Sequence, residues 1–584
     1  MMTNQLTVWA PAVTKVQTLL DGDLLNMTRA GGWWTLPRPV KAGQRYQFVL
    51  DGGDPLPDPR SRYQPEGVDG PSQVYIPSKP APWEGMDLKG RVLYEMHIGT
   101  FTEQGTFTAA IDRLDDLVEL GVEAVEVMPV AQIPGTRGWG YDGVDLYATQ
   151  NTYGGPASFQ QFIDAAHAKG LGVILDVVYN HLGPEGNYLA EFGPYFNHHH
   201  PTPWGDAVNF DGNDNLPVRQ FVIDNAHQWL VEYGVDGLRL DAVHALVDDS
   251  ETHILAELST KVAEWSEEIG RPLTLIAESD LNQADMVTPV GVTEAARGMT
   301  MQWDDDIHHS LHAFFTGETD GYYSDFGSAE TLAKAFTSVF VHDGGWSSFR
   351  EQNWGAPVDV SSASYDATSF VSFIQDHDQI GNRAVGDRLG HNGADPNLQA
   401  AAAALYLLGP FTPMIFMGEE WAASTPFPFF SDLGPDLGPL ITAGRRQEFQ
   451  KMAWHGAIPD PQAMMTFRSA RLKWDERHDP EHARMLGWYR TLLGIRASLP
   501  PHVAHSLTAT TMTVISPDAV VMRRPGVIVV ANRSDAPVTV AGLVDDPAHT
   551  VARGSCDVED SSLTLRGPGC VVQTDLGIHA QWAV

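Results

Sequence analysis

The 584-residue sequence contains only two cysteines, Cys556 and Cys570, and both lie near the C-terminus. Two cysteines cannot form a disulfide framework, and they are too few for a cysteine-based metal site. We expect reduced, buried thiols. A pairing of the two across neighbouring strands is left open.

Basic residues are also scarce. Lysine and arginine number 37 against 74 aspartates and glutamates, which gives a formal net charge of -37. This charge repels nucleic acid phosphates and anionic lipid, so it excludes nucleic acid partners and favours a neutral ligand. A solubilised surface would also explain the acidity, and that alternative excludes nucleic acid as well.

Long hydrophobic runs are absent. No stretch approaches the roughly 18 apolar residues that cross a bilayer, and Met1–Leu6 lacks a basic segment followed by an apolar one. We therefore predict a cytoplasmic protein without a membrane partner. The first strand is followed by no Gly-x-Gly-x-x-Gly, and no Gly-x-x-x-x-Gly-Lys occurs, which argues against a nucleotide-binding sheet.

The chain is long enough for two to four domains, and its pattern changes twice. Residues 1–85 alternate short apolar runs with Gly, Asp and Pro turns, which predicts an N-terminal β-sandwich of a carbohydrate-binding kind. Residues 86–500 repeat strand, helix and glycine. Residues 501–584 return to alternating strands, which predicts a C-terminal all-β domain.

Eight short apolar strands alternate with amphipathic helices in the central region. They are 92–97, 124–128, 173–178, the strand that ends at 241, 273–277, 299–303, 370–374 and 413–417. This alternation requires a parallel sheet covered by helices, and eight strands is the number at which such a sheet closes. The predicted fold class is α/β, a TIM (β/α)8 barrel. The long loop 181–216 is predicted to be an irregular subdomain over the barrel mouth.

Carboxylates lie at or just beyond the carboxyl ends of four of these strands. They are Asp176, Asp241, Glu278 and the pair Asp376 and Asp378. Barrel chemistry lies at the carboxyl ends of the strands, so we expect these groups to converge. Each one alone could be a structural ion pair, as Arg239 and Asp241 illustrate on one face of a strand. Paired carboxylates without nucleotide or Cys-His apparatus indicate glycoside chemistry, in which one acid protonates the leaving oxygen.

Four segments resemble, in order, the conserved motifs of the α-amylase family: Asp176–His181, Gly237–His244, Ile276–Glu278 and Phe373–Asp378. The resemblance implies a retaining mechanism with Asp241 as the nucleophile and Glu278 as the general acid/base. It implies that Asp378 stabilises the transition state. Where the fourth motif usually has Asn before His-Asp, this chain has Asp376, so the choice between Asp376 and Asp378 stays open. Asp378 is favoured because it aligns with the final Asp of the motif.

The same resemblance implies a set of substrate-binding residues around the cleavage subsite. His181, Arg239 and His377 would bind the sugar ring, and Tyr141 would stack on it. Exposed aromatic rings at the mouth are expected to hold sugar by stacking. The full predicted set is Tyr141, Asp142, His181, Arg239, His244, Trp204, Trp303, Asp304, His377, Gln379 and Arg383.

The two principal carboxyls need opposite protonation states. Arg239 beside Asp241 is expected to keep the nucleophile ionised. Burial and a neighbouring carboxylate are expected to raise the pKa of Glu278, so that it can donate a proton.

No metal and no cofactor are predicted. Asn180 occupies a position that ligates calcium in some amylases, but the following loop lacks an evident companion set of oxygen ligands. The run His198–His200 lacks helical ligand spacing and is predicted to be a solvated loop.

Within the α-amylase family, Tyr94–Thr102, Gly138–Gly143 and His377–Arg383 resemble the maltooligosyl trehalose trehalohydrolases. The implied substrate is an α-glucan oligosaccharide with a terminal trehalose, cut at the adjacent α-1,4 bond. A glycogen branching or debranching enzyme is the alternative, and a non-catalytic glucan-binding protein on the same fold is the third hypothesis. Monomer and dimer are both left open.

Overall fold

The computed structural model describes residues 5–451, 456–500, 506–541, 543, 549–559 and 562–575. Its centre is a closed barrel of eight parallel strands, which confirms the predicted fold class. The eighth strand pairs with the first and closes the sheet. In chain order the strands are Leu93–Met96, Ala124–Val127, Gly172–Val177, Gly237–Leu240, Thr274–Ala277, Met301–Trp303, Phe370–Ser372 and Thr412–Phe416.

The barrel interior has an apolar layer and a charged layer. The apolar cluster contains Leu88, Leu93, Ala124, Ile174, Ile276, Met301, Trp303, Val371, Phe373 and Met414. Side chains two residues apart in a strand share a face. Two residues after the apolar positions on the first four strands, and on the same inner face, are four charged residues that are all at most 2% exposed: Glu95, Glu126, Asp176 and Arg239. This charged layer supports the carboxyl end of the barrel.

Helices connect the strands, and several end at a left-handed glycine, as the sequence predicts. Gly121, with φ of 104°, follows one such helix. The first connection contains two short helices, Phe107–Ile111 and Leu114–Leu120, and Val118 on the second is 41% exposed. The α-helices are Ile98–Phe101, Phe107–Ile111, Leu114–Leu120, Gly155–Ala168, Leu189–Phe192, Leu216–His227, Ile254–Ile269, Asp305–Thr316, Ala329–Ser338, His377–Gly381, Pro396–Leu407, Gly438–Lys451, Met464–Ser469 and Pro480–Ser498.

None of the helices in the described part of the chain combines the length and apolar character needed to cross a membrane. The longest, Pro480–Ser498, carries charged residues along its length.

Antiparallel sheets lie at both ends of the chain. Two small N-terminal sheets contain Thr7–Trp9, Thr28–Ala30 and Trp33–Thr35, and Val16–Leu20, Asp23–Asn26, Arg45–Leu50, Pro55–Leu56 and Ser72–Gln73. The C-terminal sheet contains Thr511–Ser516, Ala519–Arg524, Val527–Asn532, Val538–Ala541, Thr550–Glu559 and Ser562–Thr574. The domain boundaries 1–85, 86–500 and 501–584 stay a prediction.

The excursion at 181–216 is more regular than predicted. It contains an antiparallel hairpin of Phe196–Thr202 and Gly205–Val208. The turn is possible because Gly205 adopts φ of 122°. The histidine run lies on the first of these strands, where His200 Nε2 is 2.9 Å from Asp211 Oδ2. Shorter hairpins join Ala131–Gln132 to Asp145–Thr149 and Trp346–Ser347 to Gln352–Asn353.

The two cysteines do not form a disulfide. In the pair of strands that carries both, Cys556 lies opposite Leu565 and Cys570 lies opposite Arg553. The buried Cys570 agrees with the expected buried thiol, whereas Cys556 is half-buried.

Candidate active site

The guanidinium of Arg239 is the centre of the charged layer, and its side chain is fully buried. Nη1 lies 2.8 Å from Asp176 Oδ2 and 3.1 Å from Asp241 Oδ1. Nη2 lies 3.0 Å from Glu278 Oε2. One cation therefore joins carboxylates from the ends of three barrel strands, and the structural ion pair and the candidate site are the same group of residues.

Two further contacts hold the principal carboxyls. Asn180 Nδ2 donates to both Asp241 Oδ2 and the Asp241 carbonyl oxygen at 2.7 Å. The backbone N–H of Ala242 donates to Glu278 Oε2 at 2.7 Å. Ala242 has φ of 39°, a left-handed conformation that costs a non-glycine residue about 1–2 kcal/mol. This strained turn directs the N–H after Asp241 toward Glu278.

The protonation of the pair differs from the prediction. Burial and the charge of Glu278 raise the pKa of Asp241 well above its usual range. Burial also acts to raise the pKa of Glu278, but Arg239 and the Ala242 N–H outweigh it and lower that pKa. Because the two carboxyls share Arg239, they titrate as a coupled pair. In the free site the two directions favour the protonated form of Asp241 over that of Glu278.

The seventh strand ends in two aspartates with different surroundings. Asp376 is 1% exposed and caps the helix His377–Gly381, where Oδ1 accepts the Gln379 N–H at 2.6 Å. The side chain of Asp378 is 41% exposed and its Oδ1 lies 3.7 Å from His377 Nε2. Only Asp378 of the two is open to a ligand, which supports the choice of Asp378.

An aromatic arm borders the charged layer. The Tyr141 ring stacks on His377 with centroids 5.1 Å apart, and its hydroxyl donates to Asp176 Oδ2 at 2.7 Å. His181 Nε2 lies 2.9 Å from the Tyr141 carbonyl oxygen. Trp204 stacks on His181 at 4.8 Å and is 50% exposed. Trp204 therefore presents a free aromatic surface beside the site.

Trp303 and Asp304 lie beneath the site rather than in its opening, which corrects their predicted sugar contact. Trp303 is 2% exposed, and the Arg239 guanidinium lies 4.2 Å from its ring centroid. Asp304 is 1% exposed and accepts the Ile307 N–H at 3.4 Å as the cap of the next helix. Because both are buried, Trp303 supports Arg239 and Asp304 supports the helix.

The other predicted binding residues lie in less buried positions. Arg383 donates to the two carboxylate oxygens of Glu318 at 2.8 and 2.9 Å, so its guanidinium is largely committed. His244 is exposed, and its Nδ1 lies 3.8 Å from Asp280 Oδ1. Two further predicted residues are half-buried: Asp142 and Gln379.

Three carboxyls near the site were not predicted from the sequence: Asp305, Glu95 and Glu126. Burial, followed by the charge of Glu278, raises the pKa of Asp305 to about 8. Its signal was the run of three aspartates, 304–306, directly after the sixth strand. Glu95 and Glu126 lie inside the barrel, and their signal was a single glutamate within an otherwise apolar strand.

One group among the described residues could hold a metal ion, formed by His200, Asp211 and Asp249 with ligand atoms within 4.8 Å of one another. Asp211 already accepts from His200 and from the Asp249 N–H. Asn180, the position that suggested calcium, donates to Asp241 instead. Metal-independent activity stays a prediction.

Comparison with known proteins places the chain. Residues 82–203 match the family described as alpha amylase, catalytic domain. The malto-oligosyltrehalose trehalohydrolase of Arthrobacter ramosus is 47% identical over 592 residues, which cover 98% of this chain and 99% of that relative. The chain belongs to the malto-oligosyltrehalose trehalohydrolase family.

A solved structure and a more distant relative show how far along the chain each similarity extends. The crystal structure of a putative alpha amylase from Salmonella typhimurium has a TM-score of 0.87 at 38% identity and covers 97% of each chain. A 1,4-alpha-glucan branching enzyme of Pseudoalteromonas atlantica is 30% identical over 282 residues, only 42% of this chain and 38% of that relative. The trehalohydrolase family therefore fits nearly the whole chain, and the branching enzyme fits less than half.

Proposed function

We propose that this protein is a retaining α-glucan hydrolase that cuts the α-1,4 bond next to the terminal trehalose of maltooligosyl trehalose and releases trehalose. The observation that carries the proposal is the contact of Arg239 with both Asp241 and Glu278 in a chain that matches a trehalohydrolase from end to end. Cytoplasmic location, absence of a nucleic acid partner and a monomeric or dimeric state remain part of the proposal.

In the first step Asp241 attacks the anomeric carbon of the sugar at the cleavage subsite, and the bond from that carbon to the leaving oxygen breaks. Glu278 gives its proton to the leaving oxygen, which departs as a trehalose hydroxyl. This step needs an ionised Asp241 and a protonated Glu278, the reverse of what the pKa directions favour in the free site, so bound substrate must shift the proton toward Glu278. Arg239 beside Asp241 then stabilises the ionised nucleophile.

In the second step water hydrolyses the glycosyl ester of Asp241. Glu278, now a carboxylate, takes a proton from the water, and the oxygen attacks the anomeric carbon from the face that trehalose left. The ester bond breaks and Asp241 is restored. Two inversions at one carbon retain the α configuration, and both carboxyls return to their starting protonation.

The surrounding side chains suit neutral sugar hydroxyls. Asp378 is the exposed acceptor of the seventh strand, and His377 beside it can donate. Tyr141 is fixed through its hydroxyl and supplies a ring at the cleavage subsite. Trp204, half exposed and stacked on His181, supplies a second ring for the oligosaccharide.

The proposal is tested by giving the purified protein maltooligosyl trehalose and a plain maltooligosaccharide of equal length in parallel reactions. We expect free trehalose and a shortened maltooligosaccharide from the first substrate, with much slower turnover of the second. Asp241→Asn serves as the inactive control. New α-1,6 branches would instead indicate a branching enzyme, linear chains released from branched glucan would indicate a debranching enzyme, and binding without products would indicate a non-catalytic protein.

A further inference from the structure

Glu95 binds His377 with both carboxylate oxygens. Oε1 lies 2.5 Å from the ring nitrogen Nδ1, and Oε2 accepts the backbone N–H of His377 at 3.0 Å. Both side chains are 1% exposed. Glu95 lies on the first barrel strand and His377 follows the seventh, so a single carboxylate fixes both the backbone and the ring of a residue 282 positions away.

These contacts determine which face of the imidazole points to the candidate site. The ring is held between Tyr141, stacked at 5.1 Å, and the edge of Trp139 at 5.4 Å. Since Nδ1 is directed to Glu95, the other nitrogen, Nε2, is directed to Asp378, whose Oδ1 is 3.7 Å away. His377 therefore presents one fixed N–H donor beside the exposed carboxylate of the seventh strand.

The charges around His377 favour its protonated form. Burial acts to lower the pKa of His377, but the charges of Glu95 and Asp378 outweigh it and raise the pKa to about 10. Burial lowers the pKa of His97, which interacts with His377, to about 3, so its imidazole adds no positive charge near His377. The carboxyls that interact with His377 are Glu95, Glu126, Asp176, Glu278, Asp376 and Asp378. Arg239 is the other cation of this layer.

We propose that Glu95 is a positioning residue that keeps His377 as an imidazolium and aims its Nε2–H at Asp378 and at the sugar hydroxyls bound there. The sugar contact rests on the proposed function, whereas the state of His377 does not. Burial raises the pKa of Asp378, and the charge of His377 acts in the opposite direction. A charged donor at His377 therefore favours the ionised form of Asp378, which is the acceptor for the sugar hydroxyls. A neutral imidazole would leave that carboxylate among other acids without its counter-charge.

Glu126 provides a matched control within the same layer. It lies on the second barrel strand with its Cα directly opposite that of Glu95, and it is also 1% exposed. Neither of its carboxylate oxygens has a hydrogen-bond partner in the described part of the chain. Burial raises its pKa well above the usual range, which favours its uncharged form. Glu126→Gln therefore makes the same substitution in the same layer without removing a hydrogen bond from His377.

The test is the titration of His377 in the substrate-free protein. It is monitored by NMR of histidine labelled with carbon-13 at Cε1, and the His377 signal is identified by its absence from His377→Gln. In the wild-type protein we expect no titration of His377 between pH 5 and 9. In Glu95→Gln its midpoint is expected to fall by about 1–3 pH units, and Glu95→Asp should restore most of that loss. Glu126→Gln should leave the titration as in the wild type.

Kinetics supply the second readout. With maltooligosyl trehalose, kcat/KM of Glu95→Gln is expected to fall progressively as pH rises from 6 to 9, whereas Glu264→Gln, at an exposed position on the helix Ile254–Ile269, should follow the wild-type profile. A wild-type His377 that titrates near its ordinary pKa would overturn the role of Glu95, and this result does not depend on how well Glu95→Gln folds. An unchanged midpoint in folded Glu95→Gln would also overturn it. A shifted midpoint in a protein that releases no trehalose would support the role of Glu95 and reject only the proposed function.

Discussion

Nη1 of Arg239 lies 3.1 Å from Oδ1 of Asp241, two residues further along the same strand. The strand alternation places both side chains on one face, and burial makes the pair sensitive to the loss of either partner. The same guanidinium also reaches Asp176 and Glu278. Its planar fork therefore sets the relative positions of the two groups that carry the chemistry.

Arg239→Lys should test this geometry while keeping the positive charge. Lysine cannot present two donors in one plane, so we expect kcat/KM to fall about 10²–10³-fold, as when a positioned donor is removed from an active site. Arg271→Lys is the matched control, because Arg271 binds Asp236 at 3.0 Å just before the same strand begins, away from the carboxylates. Near-normal turnover by Arg239→Lys would mean that charge alone suffices.

Glu278→Gln should lose the proton donor. We expect kcat to fall about 10²–10⁴-fold, the usual contribution of a general acid. Glu264→Gln, on the exposed face of the helix Ile254–Ile269, is the control for the substitution itself.

The pH profile gives the sign of the effect. The raised pKa of Asp241 means that the wild-type pair keeps its proton above the usual carboxyl range, and activity should be lost as pH rises through that raised pKa. Glu278→Gln removes the neighbouring charge, so the pKa of Asp241 falls and the basic limb of the profile should disappear. If the variant kept its rate and its basic limb, another residue would be the acid.

Asp305→Asn should change the dependence of stability on pH. The pKa of Asp305 is raised to about 8 in the folded protein, against about 3.9 in the unfolded chain. Its contribution to stability is thus fully present below the unfolded pKa and is lost as pH rises toward 8. The melting temperature of Asp305→Asn, relative to wild type, should therefore increase between pH 5 and 8.

Asp23→Asn, at an exposed position on an N-terminal strand, controls for the substitution in the melting experiment. A constant difference in melting temperature between wild type and Asp305→Asn across this range would show that Asp305 does not bind a proton on folding.

Trp204→Ala should weaken substrate binding without slowing the chemical step. The exposed ring is worth about 0.5–1.5 kcal/mol when it stacks on a partner, so we expect KM to rise by about 2–10-fold at nearly constant kcat. Trp204→Phe keeps an aromatic face over His181 and should recover most of the loss. An unchanged KM in Trp204→Ala would place the oligosaccharide elsewhere on the barrel mouth.

The barrel and the positions of its main carboxylates were predictable because both depend on local patterns. The third strand, Gly172–Val177, lies within one residue of the predicted 173–178, and Asp176 lies on it. Arg239 and Asp241 follow from strand alternation alone. The motif order then linked carboxylates that lie more than a hundred residues apart.

The rest depends on contacts between distant strands. The sequence does not reveal that Trp303 lies beneath Arg239, so its ring was wrongly expected to be open. The lowered pKa of Glu278 follows from Arg239 and from the Ala242 N–H, which a left-handed turn that no residue type marks directs toward it. The hairpin in 181–216 depends on a single glycine, Gly205, within a run that otherwise looks irregular.

Proton NMR of a fresh digest of maltooligosyl trehalose tests the central claim most directly. The first spectra should show free trehalose together with a new reducing end in the α configuration, before mutarotation produces the β anomer. That result is expected only if the bond next to trehalose is cut by double displacement through a carboxylate in the position of Asp241. A reducing end that appears first as the β anomer, or the absence of trehalose, would contradict the account.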